Sequence, residues 1–277
     1  MDPLQSPVFI LGLHRSGTTL VSDILSRLGV FMGSRLESHL ESVFFRDVND
    51  WVLEVAHGGW DRPRPLEDLV RTPETRMAII DRLKTHVRSL RFRLSYWGAS
   101  GGFGMSRFSP AVWGWKEPRT TVTLPFWCDV FPNARYVYVY RNGIDVADSL
   151  ARRERARAAM VDNRYFSARC MDLDDAFRLW EEYNDMYLSA RERYSLNQVL
   201  ELQYEQVTES PEKVVGRLID ALALECSDGM AQSAALAVRP GRGYAFLEDA
   251  ELMRLYDELK SRSLMKKLGY GSVLSSE

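Results

Sequence analysis

The chain has 277 residues, 45% hydrophobic and 27% charged, enough to bury one sizeable core, and it is expected to form a single domain over 1–277. Lys plus Arg number 36 against 38 Asp plus Glu, a balance without the electrostatic footprint of a nucleic-acid or anionic-membrane partner, so any basic site must be local. Three scattered cysteines, Cys128, Cys170 and Cys226, make neither a disulfide framework nor a zinc site, and no apolar run is long enough to span a bilayer. Stable membrane insertion is therefore not expected, and a reducing, cytoplasmic setting is.

Val8-Phe9-Ile10-Leu11 is a short apolar run ending in Gly12; past Thr19, Leu20, Ile24, Leu25 and Leu28 fall on one helical face. The spacing predicts strand, loop and helix, closed near Gly29. Residues 31–112 read as an insertion of helices and loops that covers the acceptor. Within it, Ile79, Ile80, Leu83, Val87, Leu90 and Leu94 keep a helical period, and the basic residues between them read as its solvated face. Regular alternation then resumes: strand at 112–115, helix at 121–131, strand at 134–140, helix from Ile144, a long helix at 176–194, strand at 199–202, and a helix at 211–222 with Pro211 at its start. This order predicts an α/β fold of three layers, a P-loop-like central parallel sheet flanked by helices.

A Gly-containing turn between a buried strand and a helix points backbone N–H groups and the positive end of the helix dipole at one spot, which suits phosphate. The turn Gly12-Leu13-His14-Arg15-Ser16-Gly17-Thr18-Thr19 has the glycine spacing of a nucleotide-binding P-loop, but Thr18 stands where the Lys should be. A nucleoside triphosphatase needs that Lys on the β- and γ-phosphates, so a P-loop kinase, the main alternative, is disfavoured. A binding protein without catalysis is the other alternative. Arg15 instead places a cation earlier in the loop. A second turn, Arg141-Asn142-Gly143-Ile144-Asp145-Val146-Ala147-Asp148-Ser149, also follows a buried strand, at the end where ligands gather in open α/β sheets. Arg141 and Ser149 could meet there on one phosphate, and Asp145 reads as a charge that complements the helix dipole.

His14-Arg15-Ser16-Gly17-Thr18-Thr19-Leu20 resembles the 5′-phosphosulfate loop of sulfotransferases, and Arg141 with Ser149 eight positions on resembles their 3′-phosphate motif. Two such motifs in this order imply a sulfotransferase that uses 3′-phosphoadenosine 5′-phosphosulfate as sulfate donor and releases adenosine 3′,5′-bisphosphate. The resemblance assigns donor contacts to Arg15, Ser16, Gly17, Thr18, Thr19, Arg141 and Ser149. Tyr204, in Leu202-Gln203-Tyr204-Glu205, matches the strand-end Tyr placed against adenine, or is a core aromatic. Arg239-Pro240-Gly241-Arg242-Gly243 resembles the late loop that closes on the 3′-phosphate through Arg239, Gly241 and Arg242, with the contacting arginine left open.

The resemblance also implies Arg15 and Lys116 as the cations at the sulfuryl group, Lys116 at the end of the 112–115 strand. The catalytic His of the cytosolic aryl and steroid enzymes is replaced here by Pro118. The tyrosine and several carbohydrate enzymes use a Glu after the first helix, which makes Glu37 and Glu41 the candidate bases, with His39 a rival and Glu117, beside Lys116, behind it. His14 is not read as the base. No metal is required, because the donor arrives activated. The acceptor is expected to be a hydroxyl of a small metabolite, glycolipid or saccharide. The basic stretch at 152–157 reads as a second segment over the acceptor, its arginines suited to an anion, while oligomeric state is not legible.

Overall fold

The computed structural model describes residues 6–98, 112–160, 165–196, 198–239 and 243–273. Strands β1 (Val8–Leu11), β2 (Gly114–Lys116), β3 (Arg135–Tyr140) and β4 (Val199–Gln203) form one parallel sheet in the order β2-β1-β3-β4. Helix α1 (Thr18–Arg27) follows β1, and α2 (Val43–Val55), α3 (Leu66–Arg71), α4 (Pro73–Arg88) and the single turn α5 (Leu90–Phe92) lie between it and β2. Next come α6 (Thr120–Val130) before β3, then α7 (Gly143–Arg157) and α8 (Leu173–Arg193) before β4. The remaining helices are α9 (Tyr204–Glu209), α10 (Pro211–Leu222), α11 (Asp228–Leu236), α12 (Ala250–Leu259) and α13 (Ser263–Lys267).

Strand residues alternate between two cores, which is why β1 is apolar at all of its positions and β3 between its two ends. Phe9, Leu11, Trp115, Tyr136 and Tyr138 pack with the buried faces of α2, α4, α6, α7 and α8. Val8, Ile10, Val137, Val139 and Leu202 pack instead with α1, α10 and α11. The three expected layers follow: helices, sheet, helices. Phe45 stacked on Trp115 at 3.6 Å and Tyr138 on Tyr187 at 3.5 Å anchor the larger core.

Two readings of the periodicity change. The apolar stripe holds for Ile79, Ile80 and Leu83, which are buried, but α4 stops at Arg88, and Leu90 and Leu94 are 68% and 46% exposed. Ser89 restarts the chain by accepting the Phe92 amide at 3.1 Å, which rotates Phe92 and Tyr96 into the core instead. Beyond Leu222 the chain adds α11, α12 and α13, of nine, ten and five residues, too short for an apolar repeat to stand out. Among the described residues no helix is long and apolar enough to cross a membrane.

Gly12 carries the tightest constraint on the site. Its φ is +140°, and a Cβ there would overlap the carbonyl oxygen of Val139 on β3. Gly12→Ala should cost at least about 2 kcal/mol, read from the denaturant midpoint. Gly216→Ala, within α10 where an added Cβ meets nothing, should raise stability by about 0.5–1 kcal/mol.

Candidate active site

The loop from β1 to α1 is held at both ends. The Gly12 amide donates to Thr121 Oγ1 at 2.8 Å, and Gly17, with φ +96° and no room for a Cβ beside the Tyr204 ring, opens α1. Between them the Ser16 amide donates to the Leu13 carbonyl at 3.2 Å, Ser16 and Thr18 are buried, and Arg15 takes a left-handed backbone at φ 72°. A left-handed arginine is strained, and in this turn the strain sends the guanidinium across to the next strand end. There Arg15 Nε donates to Ser149 Oγ at 2.8 Å. The loop after β1 and the turn and helix after β3 are thus in direct contact.

In the second turn, Asn142 Oδ1 caps α7 by accepting the amides of Ile144 and Asp145 at 2.9 and 3.4 Å. Arg141 lies over the Tyr204 ring, 4.5 Å from its centroid, and pairs with Asp145 at 3.1 Å. Asp145 does more than complement the helix dipole: its carboxylate also accepts the amides of Ala245 and Phe246 at 3.3 and 2.9 Å, tying the segment that follows Gly243 to the second turn. Glu205 is a second tie, accepting the Asn142 amide at 3.1 Å and the Tyr270 hydroxyl at 2.9 Å. Arg239 lines the same cleft. Gly241 and Arg242 lie outside the described residues.

Lys116, at the end of β2, is 1% exposed and donates from Nζ to the His39 carbonyl at 2.7 Å and to Glu41 Oε1 at 3.1 Å. Burial pulls the ammonium below its ordinary pKa, and the Glu41 carboxylate opposes that pull. Thr19 Oγ1 donates to the same His39 carbonyl at 3.2 Å, so the loop, β2 and the segment after α1 meet here. Glu41 Oε1 is also 3.7 Å from His14 Nδ1. Burial, followed by Arg153, Arg119 and Lys116, holds His14 well below the ordinary imidazole pKa, so it is neutral near pH 7.

These elements enclose a cleft of about 1010 Å³ whose walls carry Arg15, Thr18, Thr19, Lys116, Glu41, His39, Arg141, Ser149 and Tyr204. Asp145 and Asp148 also line it, but the other candidate glutamates point elsewhere. Glu37 pairs with Arg46 and does not line the cleft. Lys116 turns to Glu41, whereas Glu117 is fully buried against Arg119 and Asn49, both at 2.6 Å. From the basic stretch, Arg152, Arg153 and Arg157 line the cleft and Arg155 turns to the Met171 carbonyl. The loop tie through Asp145 and the buried Glu154 beneath Arg153 and Arg157 were not singled out from sequence. Their only signal is their position on α7, which acquires meaning once the helix face is known. Among the described residues no group of three or more His, Cys, Asp or Glu could hold a metal ion.

A four-stranded parallel sheet flanked by helices, with two glycine-containing turns at adjacent strand ends and a buried Lys–Glu pair beside them, places the chain among α/β proteins that gather their site at the carboxyl edge of the sheet. Residues 7–228 match the sulfotransferase family, and the chain belongs to that family. An uncharacterized protein of Aquifex aeolicus (strain VF5) is 25% identical over 236 residues, 82% of this chain and 26% of that protein. The chain thus spans about a quarter of the length of the curated relative it matches. Among solved structures, the sulfotransferase STF9 from Mycobacterium avium superposes with a TM-score of 0.53 at 16% identity, over 93% of this chain and 76% of that one. The sulfotransferase STF1 from Mycobacterium tuberculosis H37Rv gives 0.50 at 16% identity, over 91% and 76%. At that identity the likeness is one of fold.

The depressed His14 has a consequence for stability. An imidazole that titrates lower when folded than its ordinary 6.5 lets the unfolded chain bind the proton first. Its contribution is complete above pH 6.5 and is lost as pH falls from there through the folded pKa. From pH 7 to pH 5 the wild type should lose more stability than His14→Phe, compared by urea midpoints at the two pH values.

Proposed function

We propose that this chain transfers the sulfuryl group of 3′-phosphoadenosine 5′-phosphosulfate to a hydroxyl of a small metabolite, glycolipid or saccharide, in a cytoplasmic setting. The observation that carries this reading is the contact of Arg15 with Ser149. It makes the two anion-binding turns parts of a single cleft, as a nucleotide bearing phosphates at both its 5′ and 3′ positions requires. The loop residues Ser16, Gly17, Thr18 and Thr19 with Arg15 hold the 5′-phosphosulfate. Arg141 and Ser149 hold the 3′-phosphate, with Arg239, Gly241 and Arg242 in the closing loop. Tyr204, beneath the Arg141 guanidinium, meets the adenosine. Arg15 suits an incoming anion because, among the described residues, it has a hydroxyl partner and no carboxylate.

In the reaction the acceptor oxygen attacks sulfur, the bond from sulfur to the 5′-phosphate oxygen breaks, and adenosine 3′,5′-bisphosphate leaves. Negative charge grows on the leaving oxygen, where Arg15 and Lys116 stabilise it. Glu41 takes the acceptor proton, since it alone of the candidate glutamates lines the cleft, 3.1 Å from Lys116. Glu37, held by Arg46, stays outside the chemistry. The sulfuryl group arrives on an activated anhydride, so this route needs no metal. A kinase reading lacks the Lys at Thr18 and leaves the second turn without a purpose.

Calorimetry tests the donor: adenosine 3′,5′-bisphosphate should bind without magnesium and ATP with magnesium should not, and the reverse order would overturn the proposal. With the labelled donor and an acceptor found by screening hydroxyl compounds, Arg15→Ala and Lys116→Ala should each lower kcat by about two to three powers of ten. Glu41→Gln should lower it by a similar factor while Glu37→Gln leaves it unchanged. Arg141→Ala should weaken nucleotide binding by about tenfold to a hundredfold, the loss of a charged hydrogen bond.

A further inference from the structure

Helix α7 extends past the second turn along the wall of the cleft, and its cleft-facing positions continue from Ser149 through Arg153 to Arg157 at four-residue spacing. At about 1.5 Å per residue, these guanidinium positions start about 6 and about 12 Å beyond Ser149. The buried Glu154 carboxylate holds both, accepting Arg153 Nε at 2.6 Å and lying 3.6 Å from Arg157 Nη1, while its other oxygen accepts the Ser167 amide at 2.9 Å. One carboxylate shared by two arginines leaves a unit of positive charge. Arg153 Nη2 is buried and has no hydrogen-bond partner among the described residues. A buried charged donor without a partner costs free energy comparable to a lost hydrogen bond, which a bound anion would recover.

Side-chain contacts place this pair at the end of the cleft near the carboxylate base. Arg153 lies 4.9 Å from the centroid of the Trp60 ring. Trp60 also meets His14, edge-on at 5.1 Å, and His14 is 3.7 Å from Glu41. The nucleotide contacts Arg141 and Tyr204 form a separate pair beside Gly17. Arg153 and Arg157 thus share the cleft with Arg15, whose charge they feel, and reach the Glu41 side of it through Trp60 and His14.

Resting on the sulfotransferase reading, we infer that Arg153 and Arg157 form an anion subsite for the acceptor, which carries a carboxylate or phosphate ester near the hydroxyl that is sulfated. The guanidinium of Arg153, fixed by Glu154 and Trp60, and the more exposed Arg157 four residues on both line the cleft, and together they suit such an oxyanion. Glu154 and Trp60 are positioning residues for that guanidinium.

The test begins with adenosine 3′,5′-bisphosphate titrated into wild type, Arg153→Gln and Arg157→Gln by calorimetry. Absence of binding to wild type would remove the sulfotransferase reading itself, and the inference with it. With the nucleotide saturating, inorganic phosphate and acetate are then titrated separately, the tighter of the two naming the kind of anion. The inference expects the nucleotide affinity of each variant to stay within about twofold and the anion affinity to fall about tenfold, one charge-assisted hydrogen bond. Nucleotide affinity that falls together with anion affinity would assign the arginines to the donor, and unchanged anion affinity in both variants would leave them without a ligand. Either result overturns the inference while the sulfotransferase reading stands. Arg157, one-third exposed, tolerates replacement even if Arg153→Gln misfolds. In turnover, acids should be preferred over their methyl esters, and the ratio of kcat/KM should fall about tenfold in Arg157→Gln.

Discussion

The site depends on how closely β1 and β3 approach at their carboxyl ends. Leu11 pairs with Tyr138 in the parallel register, and one residue further the Gly12 backbone passes the Val139 carbonyl with no space for a side chain. Parallel strands deliver their following loops to the same edge of the sheet. The turn after β1 and the turn after β3 are consequently neighbours, and a cation from one can bond a hydroxyl of the other, as Arg15 does with Ser149. Lys116, at the end of β2 on the other side of β1, comes to the same edge by the same geometry.

A cleft this rich in cations would be costly if each stood alone. Most have a carboxylate behind them: Arg141 has Asp145, Arg152 has Asp148, Arg153 has Glu154 and Lys116 has Glu41. These partners keep the free protein from accumulating unpaired positive charge while leaving donor groups for a ligand. Arg15 departs from the pattern with its hydroxyl partner, and partial burial followed by the nearby Arg141 lowers its pKa. An anion arriving at Arg15 meets no competing carboxylate partner among the described residues.

The carboxylates in turn hold the backbone of the site. Asp145 and Glu205 bind the late segment to the second turn through the amides of Ala245, Phe246 and Asn142. Both are buried, and burial raises the pKa of each, which the amides and Arg141 offset. The second turn, the start of α9 and the segment before α12 are thereby joined, although α12 and α13 themselves do not line the cleft.

Much of this was legible in the sequence where physics acts locally. The apolar run at 8–11, the glycines at 12 and 17 and Pro211 at a helix start are constraints within a few residues of chain, and each has its expected place. Local pattern misled where a cap intervened, as Ser89 did for Leu90 and Leu94. Pairing was not legible. Glu37 and Glu41 are equivalent by composition and spacing, yet the turn between them, with the Leu40 amide donating to the Glu37 carbonyl at 2.9 Å, sends one to Arg46 and the other to Lys116. Likewise Glu117 adjoins Lys116 in the chain but opposes it across the strand, because successive side chains of a strand face opposite sides. The sequence by itself determined the strand-loop-helix alternation of the α/β core; only the tertiary structure decided which charges meet, since side-chain electrostatics acts over distances that chain separation does not measure.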